Sequence, residues 1–505
     1  MVFEPKFTKV VSSVRKNLGT TQSVIEVKLP TNDIEVKNVY SVGAKSTILH
    51  KEFSGREIVF SGLVDFQAIY NSESINALDY TAEFKDRFLI DKDVCGELIV
   101  TSNVIDINSM VSNQGIRVVA IVETNIDEIC SKDINVLTSV DSDDSHVATF
   151  DVTYSTYLGR AYEKFDVMED IRIDRVKNIL MVTPCVSLSS VDPRENYIVI
   201  SGKVNLDICY LTGDNISDIA NHFHEVDFTT EVAFDGVNTN SAVQSVIGML
   251  NNEIKVSTTI EDGVANLNVF MPIVYSGYIF EENRVLAVED LYLERNYLSI
   301  TCENFYTITR NNSINFKDNI SGTATILDTA PFIDEVLGVA TSNIVIAGSR
   351  IQDDRLCLEG VANATVMYYT KETNEITATQ VEMPFAVEQK VDAENVDIVS
   401  ICLQKISARS KRGKEIEVSA EISVYADLYG MRSECVISEV TLGEEKQPED
   451  CSLYIYVVKP NQTIWDVAKD TSVSQELIIE QNPQVELPIK AGDKLVIYRP
   501  NIMKF

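Results

Sequence analysis

Two of the four histidines in this chain form a His-x-His pair, the residue pattern best suited to binding a metal. His222 and His224 would project from the same face of a strand, with Glu225 and Asp227 close by in sequence. Imidazole and carboxylate groups are zinc ligands, but a zinc site needs at least one more protein ligand, and none is linked to the pair by sequence. We therefore expect exposed residues at the edge of an element and no metal site.

The acidic run from Asp141 to Ser145 resembles part of a calcium-binding loop. It lacks the glycine and the distal glutamate that such a loop needs for its turn and its oxygen ligands, so its composition predicts a solvated linker. The sequence contains no motif of a serine hydrolase (G-x-S-x-G), a zinc protease (HExxH), a phosphate-binding loop or a dinucleotide-binding fold. We expect no enzyme and no cofactor.

The strongest candidates for a functional surface lie near the C-terminus. Trp465 is the only tryptophan, and large aromatic side chains are frequent anchors of protein interfaces. Its spacing from neighbouring apolar residues also fits a core residue of a helix. We predict partner binding by seven residues: Thr463, Ile464, Trp465, Val467, Leu477, Ile478 and Asn482.

These residues need a small strand–helix–helix–strand module to position them. Ser and Thr are favoured caps at the start of a helix, and Asn-Pro is a strong stop signal. The pattern predicts a strand over 454–458, a helix capped by Thr463, a helix over 475–481 capped by Ser474, and a strand over 494–498. The whole module takes about fifty residues, which is small for a domain.

The preceding part of the chain contains one motif three times. A strand-like run ends in a glycine, and a tyrosine follows eight residues later. The three copies are Gly62 with Tyr70, Gly202 with Tyr210, and Gly360 with Tyr368. Each copy later contains an alternating apolar and polar run, which predicts an antiparallel strand with one buried face. The glycine indicates a β-bulge or a close approach of two backbones.

The chain is therefore predicted to be mainly β, with tandem sandwich-like repeats of antiparallel strands and a small α+β domain at its end. An open barrel is the alternative form of each repeat. We predict repeats over residues 1–135, 150–302 and 320–442, an acidic linker over 443–452, and the strand–helix–helix–strand domain over 453–500. The polar segments 131–145 and 309–319 have the composition of linkers between repeats.

Charge excludes several classes of partner. The 505 residues include 43 Lys and Arg against 76 Asp and Glu, a formal net charge of −33. Such a chain repels phosphate backbones and anionic lipids, so we expect no nucleic-acid binding and only indirect membrane contact. We expect no membrane helix and no export signal. The nine cysteines are scattered and lack a CxxC, which predicts reduced thiols.

The C-terminal module resembles the LysM domain from Tyr456 to Pro500. The matching residues are Thr463-Ile464-Trp465-Asp466-Val467-Ala468, Val473-Ser474-x-Glu476-Leu477, Asn482-Pro483 and the run from Ile489 to Ile497. The resemblance implies binding of N-acetylglucosamine-containing glycans through loops beside the helices. The usual Gly-Asp-Thr of the first turn is replaced by Asn461-Gln462-Thr463, which counts against glycan binding in this chain.

Together with the repeated motif, this module makes the chain similar to spore-coat morphogenetic proteins that combine SPOCS domains with a LysM domain. The resemblance implies a non-enzymatic scaffold at the forespore surface in the mother-cell cytoplasm, and in the spore coat. Its implied partners are the coat basement-layer ATPase SpoIVA, bound mainly by the LysM domain, and other spore coat proteins. Exposed strand edges would also permit self-association. The alternative is a cell-wall protein that binds peptidoglycan through LysM.

Overall fold

Long antiparallel strands with one apolar face build most of the molecule. In the computed structural model, Ile416, Val418 and Ile422 are fully buried, whereas Glu417 and Glu421 between them form ion pairs with neighbouring basic side chains. β-Branched side chains pack well on such a pleated face. Burial of every second residue also specifies the register, because a shift by one residue would expose the whole apolar face.

The structure describes residues 3–31, 35–91, 94, 96–112, 115–213, 218–327, 329–370, 372–447 and 453–498. The first repeat consists of β1 (Glu4–Leu29), β2 (Asn38–Ser54), β3 (Glu57–Asn71), β4 (Ile75–Leu89), β5 (Glu97–Ser112) and β6 (Gly115–Asp141). The second consists of β7 (Ser145–Asp174), β8 (Asn178–Arg194), β9 (Tyr197–Leu211), β10 (Ile219–Ala233), β11 (Ala242–Met249), a 3-10 turn (Asn251–Glu253), β12 (Lys255–Glu261) and β13 (Val264–Leu293).

The third repeat and the C-terminal module complete the chain. The third repeat consists of β14 (Asn296–Thr325), β15 (Glu335–Gln352), β16 (Arg355–Thr370), β17 (Glu375–Lys390), β18 (Asn395–Lys411) and β19 (Glu415–Glu445). The module consists of β20 (Leu453–Val457), α1 (Ile464–Thr471), α2 (Gln475–Gln481) and β21 (Lys494–Tyr498). Its order is the predicted one.

Each repeat folds into two sheets that pack face to face. The first strand of each repeat pairs with the last: β1 with β6, β7 with β13, and β14 with β19. Three other strands form the second sheet, in the orders β2-β3-β4, β10-β9-β8 and β15-β16-β17. Apolar side chains of both sheets fill the space between them. The predicted fold class, mainly β with sandwich-like repeats and a small α+β domain, is confirmed.

The repeated glycine marks the same close contact in all three repeats. A Cβ atom at Gly202 would lie 2.4 Å from the carbonyl oxygen of Ser187 and 2.5 Å from the ring of Phe228. The neighbouring strand has a register shift between Leu188 and Ser190, directly opposite the glycine. Gly62 and Gly360 have equivalent neighbours and equivalent register shifts. Both the close approach and the bulge predicted from the sequence are therefore present.

Two polar segments expected to link the repeats are largely strand. Residues 131–141 belong to β6, and residues 309–319 lie within β14, so the expectation of linkers there is wrong. Ile134 and Val136 on one face of β6 are fully buried. The polar face dominates the composition of such a segment, whereas its apolar face is covered by strands that lie far from it in sequence.

The repeat boundaries stay a prediction, because the long strands run through them. β19 continues to Glu445, into the segment 443–452 that we predicted to be an acidic linker, and residues 448–452 lie outside the described residues.

The first and last strands of the three repeats are the six long strands of the molecule: β1, β6, β7, β13, β14 and β19. All six contribute to one apolar cluster that includes Val10, Val136, Val152, Ala287, Phe305 and Val436. We call this cluster the central bundle. It joins the three repeats into one body.

A disulfide links the second repeat to the third. Cys185 of β8 and Cys402 of β18 are bonded, with their Cα atoms 6.0 Å apart. The expectation of reduced thiols is therefore wrong for this pair. The two cysteines are 217 positions apart in sequence, and no spacing motif indicates that the fold brings them together.

Candidate functional site

The two helices of the C-terminal module begin at the predicted caps. The hydroxyl oxygen of Thr463 accepts a hydrogen bond from the backbone N–H of Asp466 at 3.3 Å, and the Asp466 carboxylate accepts one from the backbone N–H of Thr463 at 2.7 Å. The Asp466 carboxylate also accepts from the Thr463 hydroxyl at 2.8 Å. The bond from the Thr463 backbone N–H, followed by the bond from its hydroxyl, lowers the pKa of Asp466. Ser474 accepts from the backbone N–H of Leu477 at 3.1 Å. Reciprocal bonds of this kind satisfy the free N–H groups of a first turn.

Three of the seven predicted partner-binding residues are core residues of the module. Val467 and Ile478 are fully buried. The buried Asn482 donates from Nδ2 to the carbonyl oxygen of Val496 at 2.8 Å and accepts at Oδ1 from the backbone N–H of Val496 at 2.7 Å. These three side chains hold α2 against β21 and the helices against each other. Their side chains therefore lie inside the folded domain, and their assignment to partner binding stays a prediction.

The other four predicted residues lie on or beside one face of the helices. Thr463 is exposed, while Ile464, Trp465 and Leu477 are half-buried against the module's apolar core. Their assignment to partner binding stays a prediction.

Trp465 contacts the second repeat of its own chain. Its Nε1 donates to Oδ2 of Asp290 at 2.8 Å, and its ring meets that of Tyr292 edge-on with the centroids 5.2 Å apart. The Nζ atom of Lys469 lies 2.6 Å from Oδ1 of Asp290. The hydroxyl of Tyr292 donates to the carbonyl oxygen of Val473 at 2.9 Å. Trp465 is thus both a helix residue and an interface anchor, but the interface is within the chain.

A β-bulge near the end of β13 precedes this contact. The register between β7 and β13 shifts between Val288 and Asp290, and a bulge of this kind re-aims the side chains next to it. Burial raises the pKa of Tyr292, so its phenol remains a neutral donor. Lys446, which follows β19, donates to the Ser472 hydroxyl at 2.6 Å. The module is therefore held against the ends of the long strands.

The two-stranded sheet of the module has an apolar face toward solvent. We define the outer sheet face as Leu453, Ile455, Val457, Val496 and Tyr498, which are between 38% and 64% exposed. Antiparallel pairing places Ile455 opposite Val496 and Leu453 opposite Tyr498, so the five side chains are contiguous. Exposed apolar patches of this kind mark interaction sites.

The outer sheet face is not among the residues predicted from the sequence. The signal for it was present, because apolar residues at 453, 455 and 457 alternate with tyrosines at 454 and 456. Tyr454 and Tyr456 pack against the module's core. A strand with apolar or aromatic residues on both faces needs a cover on each side, and only the inner face has one within the described residues.

The turn that departs from the usual LysM pattern is closed by its own side chains. Asn461 has a φ of 65°, a left-handed conformation that asparagine adopts more readily than most residues other than glycine. Gln462 accepts at Oε1 from the backbone N–H of Lys459 at 2.9 Å and donates from Nε2 to Asp470 at 3.0 Å. The Gln462 amide is therefore engaged within the domain.

We expected the histidine pair at the edge of an element. Both histidines instead lie within β10. Nε2 of His224 is 3.0 Å from a carboxylate oxygen of Glu169 on β7. Burial, followed by the charge of His224, lowers the pKa of His222. In the part of the chain that the structure describes, no three His, Cys, Asp or Glu side chains form a group that could hold a metal ion.

Comparison with protein-family models finds two matches. Residues 175–268 match the SipL SPOCS domain, and residues 456–497 match the LysM domain. The first match extends from the end of β7 into β13 and contains the Gly202–Tyr210 copy of the repeated motif. The first and third repeats share the strand pairing of this matched repeat. Neither domain family is enzymatic.

No curated protein matches the chain. Among solved structures, it is similar to the S. cerevisiae core factor, a crystal structure at 3.2 Å resolution, with 8% sequence identity and a TM-score of 0.08. That match covers 81% of this chain and spans 62% of the other chain. A match with a TM-score this low carries no argument about the fold or function of this chain.

The family matches indicate the type of protein. No helix among the described residues is long and apolar enough to cross a membrane. The two matched domains together support a protein related to sporulation and the spore coat. The chain therefore contains a SPOCS domain of the SipL type followed by a C-terminal LysM domain.

Proposed function

We propose that this protein is a non-enzymatic scaffold of the spore coat that binds a SpoIVA-like coat ATPase, mainly through its LysM domain. The observation that carries this proposal is the outer sheet face, an exposed apolar surface on a domain whose helix face is engaged with its own chain. Burial of apolar surface stabilises a complex by roughly 25 cal/mol per Å² before the costs of association. Once anchored, the protein recruits other spore coat proteins and promotes encasement of the forespore.

The distribution of charge supports docking through the LysM domain. Residues 451–505 contain six basic and six acidic side chains, so the net charge of −33 belongs to residues 1–450. A neutral domain approaches a protein surface without the repulsion that the acidic body meets at anionic lipid. A protein anchor accordingly fits a location at the forespore surface in the mother-cell cytoplasm, with only indirect membrane contact.

In this proposal the exposed and half-buried helix residues contact the partner only after the first contact has formed. Trp465 and Lys469 are bound to Asp290, so a partner using this helix face must first displace β13. The outer sheet face needs no such rearrangement. We therefore assign the first contact with the ATPase to the outer sheet face, and contact by Thr463, Ile464 and Leu477 to a rearranged complex.

Binding of the full-length protein to a purified SpoIVA-like ATPase, measured by biolayer interferometry, tests the proposal. Ile455→Glu places a charge in the outer sheet face, and we expect the Kd to rise by roughly tenfold or more, because an unpaired carboxylate is costly to bury. Met168→Glu is the matched control, since Met168 and Ile455 are 63% and 64% exposed and Met168 lies on β7.

Two results would contradict parts of this proposal. Unchanged binding by a folded Ile455→Glu protein, checked by circular dichroism, would exclude the outer sheet face as the contact. Absence of binding by the unsubstituted protein would exclude the ATPase as its partner.

Binding of peptidoglycan is the second candidate function. It is favoured by the LysM match itself, because that family binds glycans or proteins. Co-sedimentation of the full-length protein with purified peptidoglycan tests it. Saturable retention on peptidoglycan, together with no binding to the ATPase, would replace the scaffold proposal with a wall-binding protein.

A further inference from the structure

A cavity of about 1230 Å³ lies between the three repeats. Strands of every repeat line it, including β2 and β5 of the first, β9 and β11 of the second, and β15 and β18 of the third. Ligand sites in proteins typically measure roughly 300–1,000 Å³. The cavity is thus large enough for a small organic molecule and is separate from the LysM domain.

Two buried amides in the cavity wall have polar atoms without a hydrogen-bond partner among the described residues. Asn205 is 2% exposed, and neither its Nδ2 nor its Oδ1 has a partner among the described residues. Gln244 is 1% exposed; its Oε1 accepts from Arg15 at 3.1 Å, while its Nε2 has no partner there. A buried polar group without a partner costs free energy that a fold normally avoids. Both side chains therefore have unused bonding capacity in the wall of the cavity.

Basic side chains add further donors to the same wall. Nζ of Lys51 and Nη1 of Arg160 lie 3.9 Å and 3.8 Å from the same oxygen of Glu97, so two cations share one carboxylate. Nζ of Lys51 also donates to the carbonyl oxygen of Leu98 and to the hydroxyl of Tyr278, so the charge of Lys51, more than its N–H groups, is available to a ligand. The Nε of Arg160 has no partner in the described part of the chain. Lys45 also lines the cavity and donates to the carbonyl oxygen of Pro184. Burial, followed by the charge of Arg160, lowers the pKa of Lys51 to about 8, as expected for a cation short of negative charge.

The carboxylates of the cavity wall, by contrast, are engaged. Asp127 and Asp397 both bind Arg15, and Glu97 is shared between its two cations. Asp207 accepts a hydrogen bond from Asn221 at 3.3 Å. Glu123 accepts one from Gln22 at 3.1 Å. Each of these carboxylates has at least one bound donor, whereas Asn205, Gln244 and Arg160 have N–H groups without a partner among the described residues.

We propose that the cavity between the three repeats binds a small organic or inorganic anion through its carboxylate or phosphate oxygens. Asn205, Gln244 and Arg160 are the side chains that donate to it, and Lys51 contributes its charge. Oxyanions suit this wall, because they offer several acceptors and a charge that the two adjacent cations need. In a protein with a net charge of −33, such a site depends on this local concentration of donors.

Isothermal titration calorimetry with the full-length protein tests this proposal at constant ionic strength. Citrate, inorganic phosphate and pyrophosphate are the anionic probes, and glucose is the neutral probe. We expect saturable binding of at least one anion and none of glucose. A preference for citrate would identify a carboxylate ligand, and a preference for pyrophosphate or phosphate would identify a phosphorylated one.

Two variants connect the binding to the cavity. Lys51→Met should raise the Kd for the anion by roughly tenfold or more, because interactions between charged groups are among the stronger ones. Lys85→Met, at an exposed lysine of β4, should leave binding unchanged. Asn205→Leu should abolish or weaken binding without lowering the thermal midpoint of the free protein, since it removes an unpaired buried amide.

The opposite results would overturn the proposal. Absence of saturable binding by any anion would mean that the cavity holds water only. Equal binding by Lys51→Met, Lys85→Met and unsubstituted protein would place an anion elsewhere. A large loss of stability in free Asn205→Leu would show that this amide has a structural role.

Discussion

Asp427 is a buried carboxyl group where the second and third repeats meet. It accepts a hydrogen bond from the backbone N–H of Ser245 at 2.6 Å. Burial raises its pKa to about 8; the Ser245 bond opposes the rise, the charge of Asp397 adds to it, and Arg15 counteracts it. The side chain is therefore largely protonated in the folded protein near neutral pH, whereas it is ionised in the unfolded chain.

This difference predicts a pH dependence of stability. Because the folded-state pKa is raised, the contribution of Asp427 is fully present below about pH 4 and is lost as the pH rises toward about 8, with a slope of up to about 1.4 kcal/mol per pH unit. Asp427→Asn should remove this slope, since asparagine stays neutral and still accepts from Ser245. Urea unfolding across this pH range measures it. Asp151→Asn, at an exposed position, is the control, and parallel curves for Asp427→Asn and unsubstituted protein would contradict the prediction.

The close contact at Gly202 is the basis of a second prediction for a single residue. Gly202→Ala should lower the free energy of unfolding by about 1–3 kcal/mol, because the new Cβ overlaps the Ser187 carbonyl and the Phe228 ring. Gly348→Ala is the matched control, since no atom lies within 4 Å of its added Cβ. Denaturant unfolding of both variants checks this. Similar losses in the two would indicate a general cost of replacing strand glycines.

The helix α1 and the strand β13 form the contact that holds the LysM domain to the body. Asp290→Ala removes the acceptor of Trp465 and the partner of Lys469, and should weaken docking by about 1.5–3 kcal/mol. Trp465 is the only tryptophan, so its emission maximum and its quenching by acrylamide report the contact directly. We expect a red shift and stronger quenching. Glu289→Ala, at the exposed neighbouring residue, should leave both unchanged, and a shift of equal size there would contradict the assignment.

The strands of the sandwich repeats can be predicted from local patterns in the sequence. The alternation after Ile416 and the glycine at position 202 are properties of a few consecutive residues, and both correspond to strands at the expected places. The helix caps Thr463 and Ser474 are equally local. The prediction of a linker at 131–141 was wrong, because its apolar residues can be recognised as a buried face only when the strands that cover them are known.

The whole body is held together by contacts between repeats. Residues of all six long strands form the central bundle, and the Cys185–Cys402 bond joins two repeats elsewhere. A second shared apolar cluster includes Tyr40, Met181 and Leu337, one from each repeat. The three repeats therefore act as one structural unit, and this explains how they enclose a cavity.

Loss of the disulfide should loosen this unit. Cys185→Ala with Cys402→Ala should lower the free energy of unfolding by roughly 2–4 kcal/mol, because the cross-link restricts the unfolded chain over a long loop. Urea unfolding measures the loss, and Cys209→Ala, at a buried cysteine outside the disulfide, controls for truncation of a thiol. Alkylation of the denatured, unreduced protein should leave Cys185 and Cys402 unmodified. Their full alkylation would show that the bond does not form in the isolated protein.

The identity and order of the elements could be predicted because alternation, caps and turn residues act over a few neighbouring positions. The LysM domain was predictable for the same reason, and the burial of Val467, Ile478 and Asn482 within it required knowledge of how the helices pack on β21. The pairing of Cys185 with Cys402, the contact of Trp465 with Asp290, and the cavity wall of Asn205 and Gln244 had no local signature. Each of these joins residues far apart in the chain, and such neighbours are chosen by the packing of whole sheets, which no short segment encodes.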